Sequence, residues 1–205
     1  MSAILYYFHD PMCSWCYAFH PTLLRLKTKL PDNIELRYVL GGLSPDEDEL
    51  MPESMQLSIK DHWQRIQQVV PGTKFNFDFW NVCKPRRSTY PACRAVIAAT
   101  NQGKKFEEAM IEAIQHAYYC DARNPSDYST HIELATELKM DVEQFEHELT
   151  SVETEEELMR QLRFTQSMNV RGFPALVLTM DGQHQGIAID HTNADNILKS
   201  INEVM

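Results

Sequence analysis

Two cysteines two residues apart, Cys13-Ser14-Trp15-Cys16, stand where an apolar run gives way to a helix-forming stretch. At that spacing both sulfurs fall within one helical turn of each other, close enough to be bridged. The free N–H groups at a helix start, with the positive end of its dipole, favour an anion there. The thiolate is the reactive form of cysteine. Cys13 is therefore the candidate attacking thiolate. Cys16, one turn further in, is the candidate resolving thiol that releases a mixed disulfide. The chemistry expected of the pair is thiol–disulfide exchange.

Two other uses of such a pair compete. A structural zinc site needs a second ligand pair, but Cys83, Cys93 and Cys120 form no second CxxC and no spaced histidine pair accompanies them. No metal is expected. The other alternative is a pair of inert buried thiols. His9 and Asp10 directly precede the motif and are candidates for proton transfer with Cys16. They read equally well as a strand end and an Asp-Pro turn. His20 is expected to be structural. Cys83 and Cys93 are either a second redox pair or, by default, small buried hydrophobes, and Cys120 is expected to be unpaired.

The elements around the motif follow from periodicity. Ala3 to Phe8 has the content of a buried strand, and Ser14 to Lys29 that of a helix, with Pro21 expected to kink it. Ile34 to Leu40 is a second strand, closed by Gly41-Gly42. This β-α-β start implies a parallel pair with a helical crossover. A stretch of about a hundred residues with little strand character follows. Helices are predicted from Pro45 to Val70, from Ser88-Thr89 to Thr100, from Gly103 to Tyr119, from Asn124 to Lys139 and from Asp141 to Leu149. Phe75 to Trp80 is expected to be a loop or helix entrance whose aromatics fill a core. Lys84 to Arg87 reads as a solvated helix start. A helix from Thr154 to Met168 leads to strands Ala175–Met180 and Gln185–Ile189 around an Asp181-Gly182 turn. A last helix is predicted from Asp190–Thr192 to Val204. Removing the helical block leaves βαβαββα, so the expected division is 1–43 with 152–205 around an inserted helical subdomain, 44–151.

Composition narrows the function classes. The 205-residue chain has 43% hydrophobic and 23% charged residues, as an ordinary globular protein does. Its net charge of −10 opposes phosphate-backbone binding, so no nucleic-acid partner is expected. No run of about 20 apolar residues is present to span a membrane. The opening residues lack the basic region of a secretory signal, and the starting Met argues against one already removed. With five cysteines and no dense disulfide framework, the expected compartment is the cytoplasm.

The motif after the first strand, Pro21 in the first helix and Phe173-Pro174 before the hairpin resemble the DsbA-like family of thioredoxin-fold proteins. The stretch from Asp10 to Tyr17 is particularly similar to its FrnE-type branch. The resemblance spans nearly the whole chain and implies an α/β thioredoxin-like fold, a mixed central sheet with a large all-helical insertion. It also implies that Pro174 is cis beside the cysteines, and that the Phe173 backbone pairs with an extended substrate segment. Ser14 and Trp15 would join Phe173 and Pro174 in substrate binding, within an apolar rim that includes Met12 and Tyr17. The implied activity is thiol–disulfide exchange with protein or peptide substrates. No cofactor is implied, and glutathione or a thioredoxin system would be the recycling partner. The periplasmic oxidants of that family carry a histidine between the cysteines. Ser14-Trp15 departs from this, implying a weaker oxidant, with reductase or isomerase activity favoured. Kappa-type glutathione transferases and hydroxychromene-carboxylate isomerases look similar but use a serine where Cys13 stands. A redox-sensing or chaperone-like binding module is the non-enzymatic alternative.

Overall fold

Strand β1 (Ala3–His9) lies at the centre of the sheet, with Leu5 and Phe8 wholly enclosed on opposite faces. It pairs in parallel with β2 (Ile34–Leu40), Ala3 opposite Ile34 and His9 opposite Leu40. On its other side it runs antiparallel to β3 (Ala175–Met180), which pairs in turn with β4 (Gln183–Ile187). The structure, a computed structural model, describes residues 2–205. Among these the sheet order is β2-β1-β3-β4, a mixed sheet. The β3–β4 turn carries Asp181 and Gly182, both at positive φ (50° and 76°), as a tight two-residue hairpin requires.

Helix α1 (Ser14–Lys29) makes the crossover and runs on through Pro21. Its Phe19, Leu23 and Leu26 share one core with Leu5, Tyr7 and the Ile197 and Ile201 side chains of α9 (Ala194–Val204). The opposite face of the sheet, with Phe8, Val39 and Val177, is covered by α8 (Val152–Ser167) through Phe164. Tyr6 meets that ring edge-on at 5.0 Å.

Six helices lie between β2 and α8: α2 (Glu53–Val69), α3 (Phe79–Val82), α4 (Tyr90–Asn101), α5 (Lys105–Tyr119), α6 (Tyr128–Glu137) and α7 (Val142–Leu149). Helix α4 is buried over nearly its whole length. Its core is continuous with Leu40 and with Leu158 and Leu162 of α8, so the helical stretch and the sheet share packing. A second core centres on Trp63, ringed by Phe75, Phe79, Trp80, Tyr118 and Tyr119. The Phe75–Trp80 segment therefore does supply aromatics to a core.

Several boundaries differ from the periodic reading, each for a local reason. The helix expected from Pro45 starts only at Glu53. The main-chain N–H groups of Ser44 and Glu47 are taken by the hydroxyls of Thr89 and Ser88, and Leu50 bridges to Arg86. Lys84–Arg87 is therefore an extended approach to α4, with Arg86 donating to Asp127 (2.6 Å) and to the Ser126 carbonyl. The helix expected from Asn124 starts at Tyr128 because the Asn124 side chain accepts from Ser126 N and closes a turn first. The Asp190 carboxylate likewise takes Thr192 N and Asn193 N, delaying α9 until Ala194. Strand β4 begins and ends two residues earlier than expected, directly after the hairpin turn.

Gly41 closes β2 by donating its N–H to the His9 carbonyl (2.7 Å). A Cβ at this position would lie 1.9 Å from a ring carbon of Phe173. Gly41→Ala is expected to cost about 1–3 kcal/mol through overpacking, read as a lower urea midpoint. A loss below about 0.5 kcal/mol, the range of neutral surface changes, would show that the Phe173 ring is free to move away.

Candidate active site

The motif sits at the C-terminal end of β1 and the start of α1. Cys13 is the N-cap of α1, in extended backbone conformation (φ −82°, ψ 114°). Its sulfur accepts the Cys16 main-chain N–H at 3.4 Å, the place where a helix start offers its free donors. The Cys13 thiol also lies 3.5 Å from the Phe173 carbonyl oxygen, which accepts from it. The Phe173–Pro174 peptide bond is cis. Residues 160 positions apart in sequence thus meet at one sulfur.

The two cysteines are unequal. Cys13 is 6% exposed and Cys16 is wholly enclosed. Burial, and then the neighbouring Cys13 sulfur, push the Cys16 thiol well above its usual range. The Tyr7 phenol neighbours Cys16, and burial holds that phenol in its protonated form. All five cysteines are free thiols.

Asp10 is buried, and its carboxylate accepts three bonds of 2.7 Å, from Met12 N, Leu43 N and the Thr89 hydroxyl. Burial raises its pKa in spite of these bonds. Thr89 precedes α4 but makes no side-chain cap there, because its hydroxyl is given to Asp10. The Cys93 thiol lies 3.8 Å from the same carboxylate, while the Cys83 thiol donates to the Ala122 carbonyl, so these two occupy separate hydrogen-bonding sites. The Cys120 sulfur is 3.3 Å from the Tyr17 hydroxyl. His9 is sealed in, stacked on Tyr7 (5.0 Å, 6°) and edge-on to Tyr38, with neither ring nitrogen bonded. His20 pairs with Glu112 at 2.9 Å. Trp15 packs edge-on to His191 at 5.0 Å, and Ser14 is half-buried in the first turn.

Of the residues singled out in the sequence, Cys13, Cys16 and Phe173 converge, with Pro174 adjoining. Tyr7, Gly41, Thr89 and Leu43 were not singled out. Tyr119 was also missed, although its hydroxyl donates to the Met12 carbonyl at 2.7 Å. The Gly41-Gly42 pair is the one signal that could have marked a close approach. Among the described residues no group of three or more His, Cys, Asp or Glu side chains is placed to hold a metal, and no helix is long and apolar enough to cross a membrane.

The thioredoxin family model matches residues 6–200 of the chain. The chain belongs to this family. Among curated relatives, the ClpXP adapter protein SpxH of Bacillus subtilis is 24% identical over 182 residues, 88% of this chain and 59% of that protein. The chain thus spans about three-fifths of the length of that relative. Among solved structures, a Nitrosomonas europaea protein assigned as a protein disulfide isomerase superposes with a TM-score of 0.86 at 21% identity, covering 99% and 97% of the two chains. The cytosolic disulfide reductase DsbM of Pseudomonas aeruginosa superposes at 0.78 and 23% identity, covering 98% and 100%. The fold is thus thioredoxin-like, of the DsbA type with a helical insertion.

Two outcomes follow from the burial pattern. Iodoacetamide is expected to label Cys13 in the native protein well before Cys16 and Cys93, read by peptide mass; equal labelling would contradict the enclosure of Cys16. The second concerns pH. Burial holds His9 down to about 3 and His131 to about 4, against an ordinary value of 6.5. Below pH 6.5 the unfolded chain takes protons that the folded chain refuses. Stability should therefore fall as pH drops from about 6.5 towards 4, by up to about 1.4 kcal/mol per unit for each histidine. His9→Phe keeps the ring stacking and should flatten this slope in urea unfolding at pH 7, 6 and 5. An unchanged slope would mean that His9 is protonated in the folded state.

Proposed function

We propose that the protein is a thiol–disulfide oxidoreductase acting on disulfide-bearing proteins or peptides through Cys13 and Cys16. The observation that carries this reading is the Cys13 sulfur, capped by the Cys16 N–H and facing the Phe173 carbonyl beside Pro174.

In the forward direction the Cys13 thiolate attacks one sulfur of a substrate disulfide. A Cys13–substrate bond forms, and the other substrate sulfur leaves as a thiolate. Cys16 then gives up its proton and attacks the Cys13 sulfur, releasing the second substrate thiol. The substrate gains two electrons, and the protein is left with a Cys13–Cys16 disulfide. Tyr7 donates a hydrogen bond to Cys16 as its sulfur acquires charge. Asp10 acts by positioning: its carboxylate is occupied by three donors, which tie it to Met12, Leu43 and Thr89. His9, with no polar partner, supports Tyr7 by stacking.

Substrate main chain pairs with Phe173 at the rim made by Ser14 and Trp15. Residues 1–43 and 152–205 carry the chemistry, and the helical stretch 44–151 shapes what reaches it. With Ser14-Trp15 between the cysteines, neither of them cationic, the pair favours reduction or isomerisation in a reducing cytoplasm. Glutathione or a thioredoxin system returns the electrons. Cys13 itself favours this reading over glutathione conjugation, in which the similar enzymes use serine.

Cys13→Ala should abolish insulin reduction in a turbidity assay. Cys16→Ser should instead stall as a Cys13–substrate adduct that dithiothreitol releases. Full activity of Cys13→Ala would move the chemistry elsewhere. Binding of a partner protein undisturbed by loss of both cysteines, with no exchange activity, would favour an adapter role like that named for the Bacillus relatives.

A further inference from the structure

A cavity of about 510 Å³ lies beside the motif, between α1 and the Pro71-Gly72 turn that follows α2. Tyr17, His20, Pro21 and Arg25 line it from α1, and His191 closes it from the loop before α9. None of its lining residues is acidic, in a chain with 29 acidic residues. The contrast with the larger cavity near α4 is direct. There Arg86 and Arg94 are neutralised by Asp127 and by Asp46 with Glu155. Arg25, by comparison, gives its hydrogen bonds to neutral oxygens, the Thr22 hydroxyl at 2.7 Å and the Thr192 carbonyl at 3.3 Å. It makes no ion pair among the described residues. His191 adds a ring braced by Trp15 and Phe19, with a buried Nε2 that has no partner. Acids beside the lining are already engaged: Glu112 by the lining residue His20, and Asp190, next to His191, by Thr192, Asn193 and Asn196.

We propose that this cavity receives a carboxylate tethered to the reacting disulfide, with Arg25 as its counter-charge, so that the active site selects anionic disulfides. The inference rests on the exchange activity proposed above. Tyr17, Pro21 and Arg25 follow Cys13 at four-residue intervals, the spacing of a ridge that winds along the helix. The Arg25 guanidinium hangs back to the level of Thr22, nine residues beyond Cys13, or about 13 Å along the axis. An extended peptide covers that distance in about four residues. The carboxylate comes either from a small disulfide such as oxidised glutathione or from an acidic side chain about four positions from the reacting cysteine of a longer chain. Tyr17 lines the cavity one turn beyond Cys13, and Trp15 packs on its lining residue His191. Without such a cation, a protein of net charge −10 would repel either ligand.

The test compares exchange rates of the full chain with oxidised glutathione (anionic), bis(2-hydroxyethyl) disulfide (neutral) and cystamine (cationic). A disulfide-linked peptide pair carrying Glu or Gln four residues from the cysteine is run alongside. Arg25→Gln should slow oxidised glutathione, the Glu peptide or both by about fivefold, the upper range for an exposed ion pair, while the neutral disulfide holds its rate. A loss confined to oxidised glutathione identifies the small ligand, and one confined to the Glu peptide identifies the chain. Arg25→Glu should slow the anionic disulfides further and speed cystamine. An unchanged anionic-to-neutral ratio in Arg25→Gln, or an equal fall with all the disulfides, overturns the proposal. If the wild-type protein reacts with no disulfide, the neutral one included, the exchange function itself fails and the subsite with it.

Discussion

The Asp10 carboxylate takes hydrogen bonds from Met12 N in the motif loop, from Leu43 N beyond the glycine pair and from Thr89 at the head of α4. One buried side chain thus ties three segments that meet beside the cysteine pair. Enclosing a carboxylate is costly, several kcal/mol for an ion without partners. Three bonds to a charged acceptor, each worth about 1.5–3 kcal/mol, offset that cost. The balance is incomplete, since burial still raises the Asp10 pKa. What the fold gains is placement. Leu43 held at Asp10 fixes the path of Gly41, Gly41 seats the Phe173 ring, and the Phe173 carbonyl comes to face Cys13.

Around that frame, two residues of the same type acquire different chemistry. Cys13 and Cys16 share a helical turn, but the main-chain donor of one caps the sulfur of the other, never the reverse. Cys16 is closed in by Tyr7 and the surrounding core, where ionisation is disfavoured. Burial of the inner sulfur fits the proposed division of labour, in which the outer sulfur attacks and the inner one resolves. Cys13 keeps a slight exposure to solvent, whereas Cys16 is wholly enclosed.

The sequence made plain whatever is local. The CxxC at a strand-to-helix junction, the β-α-β start, the Asp181-Gly182 hairpin and the order of the helices all follow from periodicity and turn chemistry. What it hid depends on partners far along the chain. Ser88-Thr89 reads as a helix cap, yet the Thr89 hydroxyl serves Asp10, 79 positions away. Tyr7 reads as one more apolar strand residue, because alternation reports which face a side chain takes and not that it neighbours Cys16. Gly41 reads as a strand end until the Phe173 ring is set against it. Helix starts at Pro45 and Asn124 failed for a related reason: nearby side chains satisfied the backbone before a helix formed.

The helical stretch then has a place in the chemistry without supplying either cysteine. Its α4 shares a core with Leu40 and α8 of the sheet side, and the turn after α2 walls the cavity beside α1. Tyr17 joins the two parts: its hydroxyl reaches the Lys74 carbonyl and the Cys120 sulfur, and its ring stacks on Tyr119, which in turn holds the Met12 carbonyl. Any shift of the helical stretch relative to α1 therefore reaches the motif from both sides, through Met12 before Cys13 and Tyr17 after Cys16. In the proposed function the exchange chemistry belongs to the β1–α1 junction, and the discrimination to the seam between α1 and the helices inserted around it.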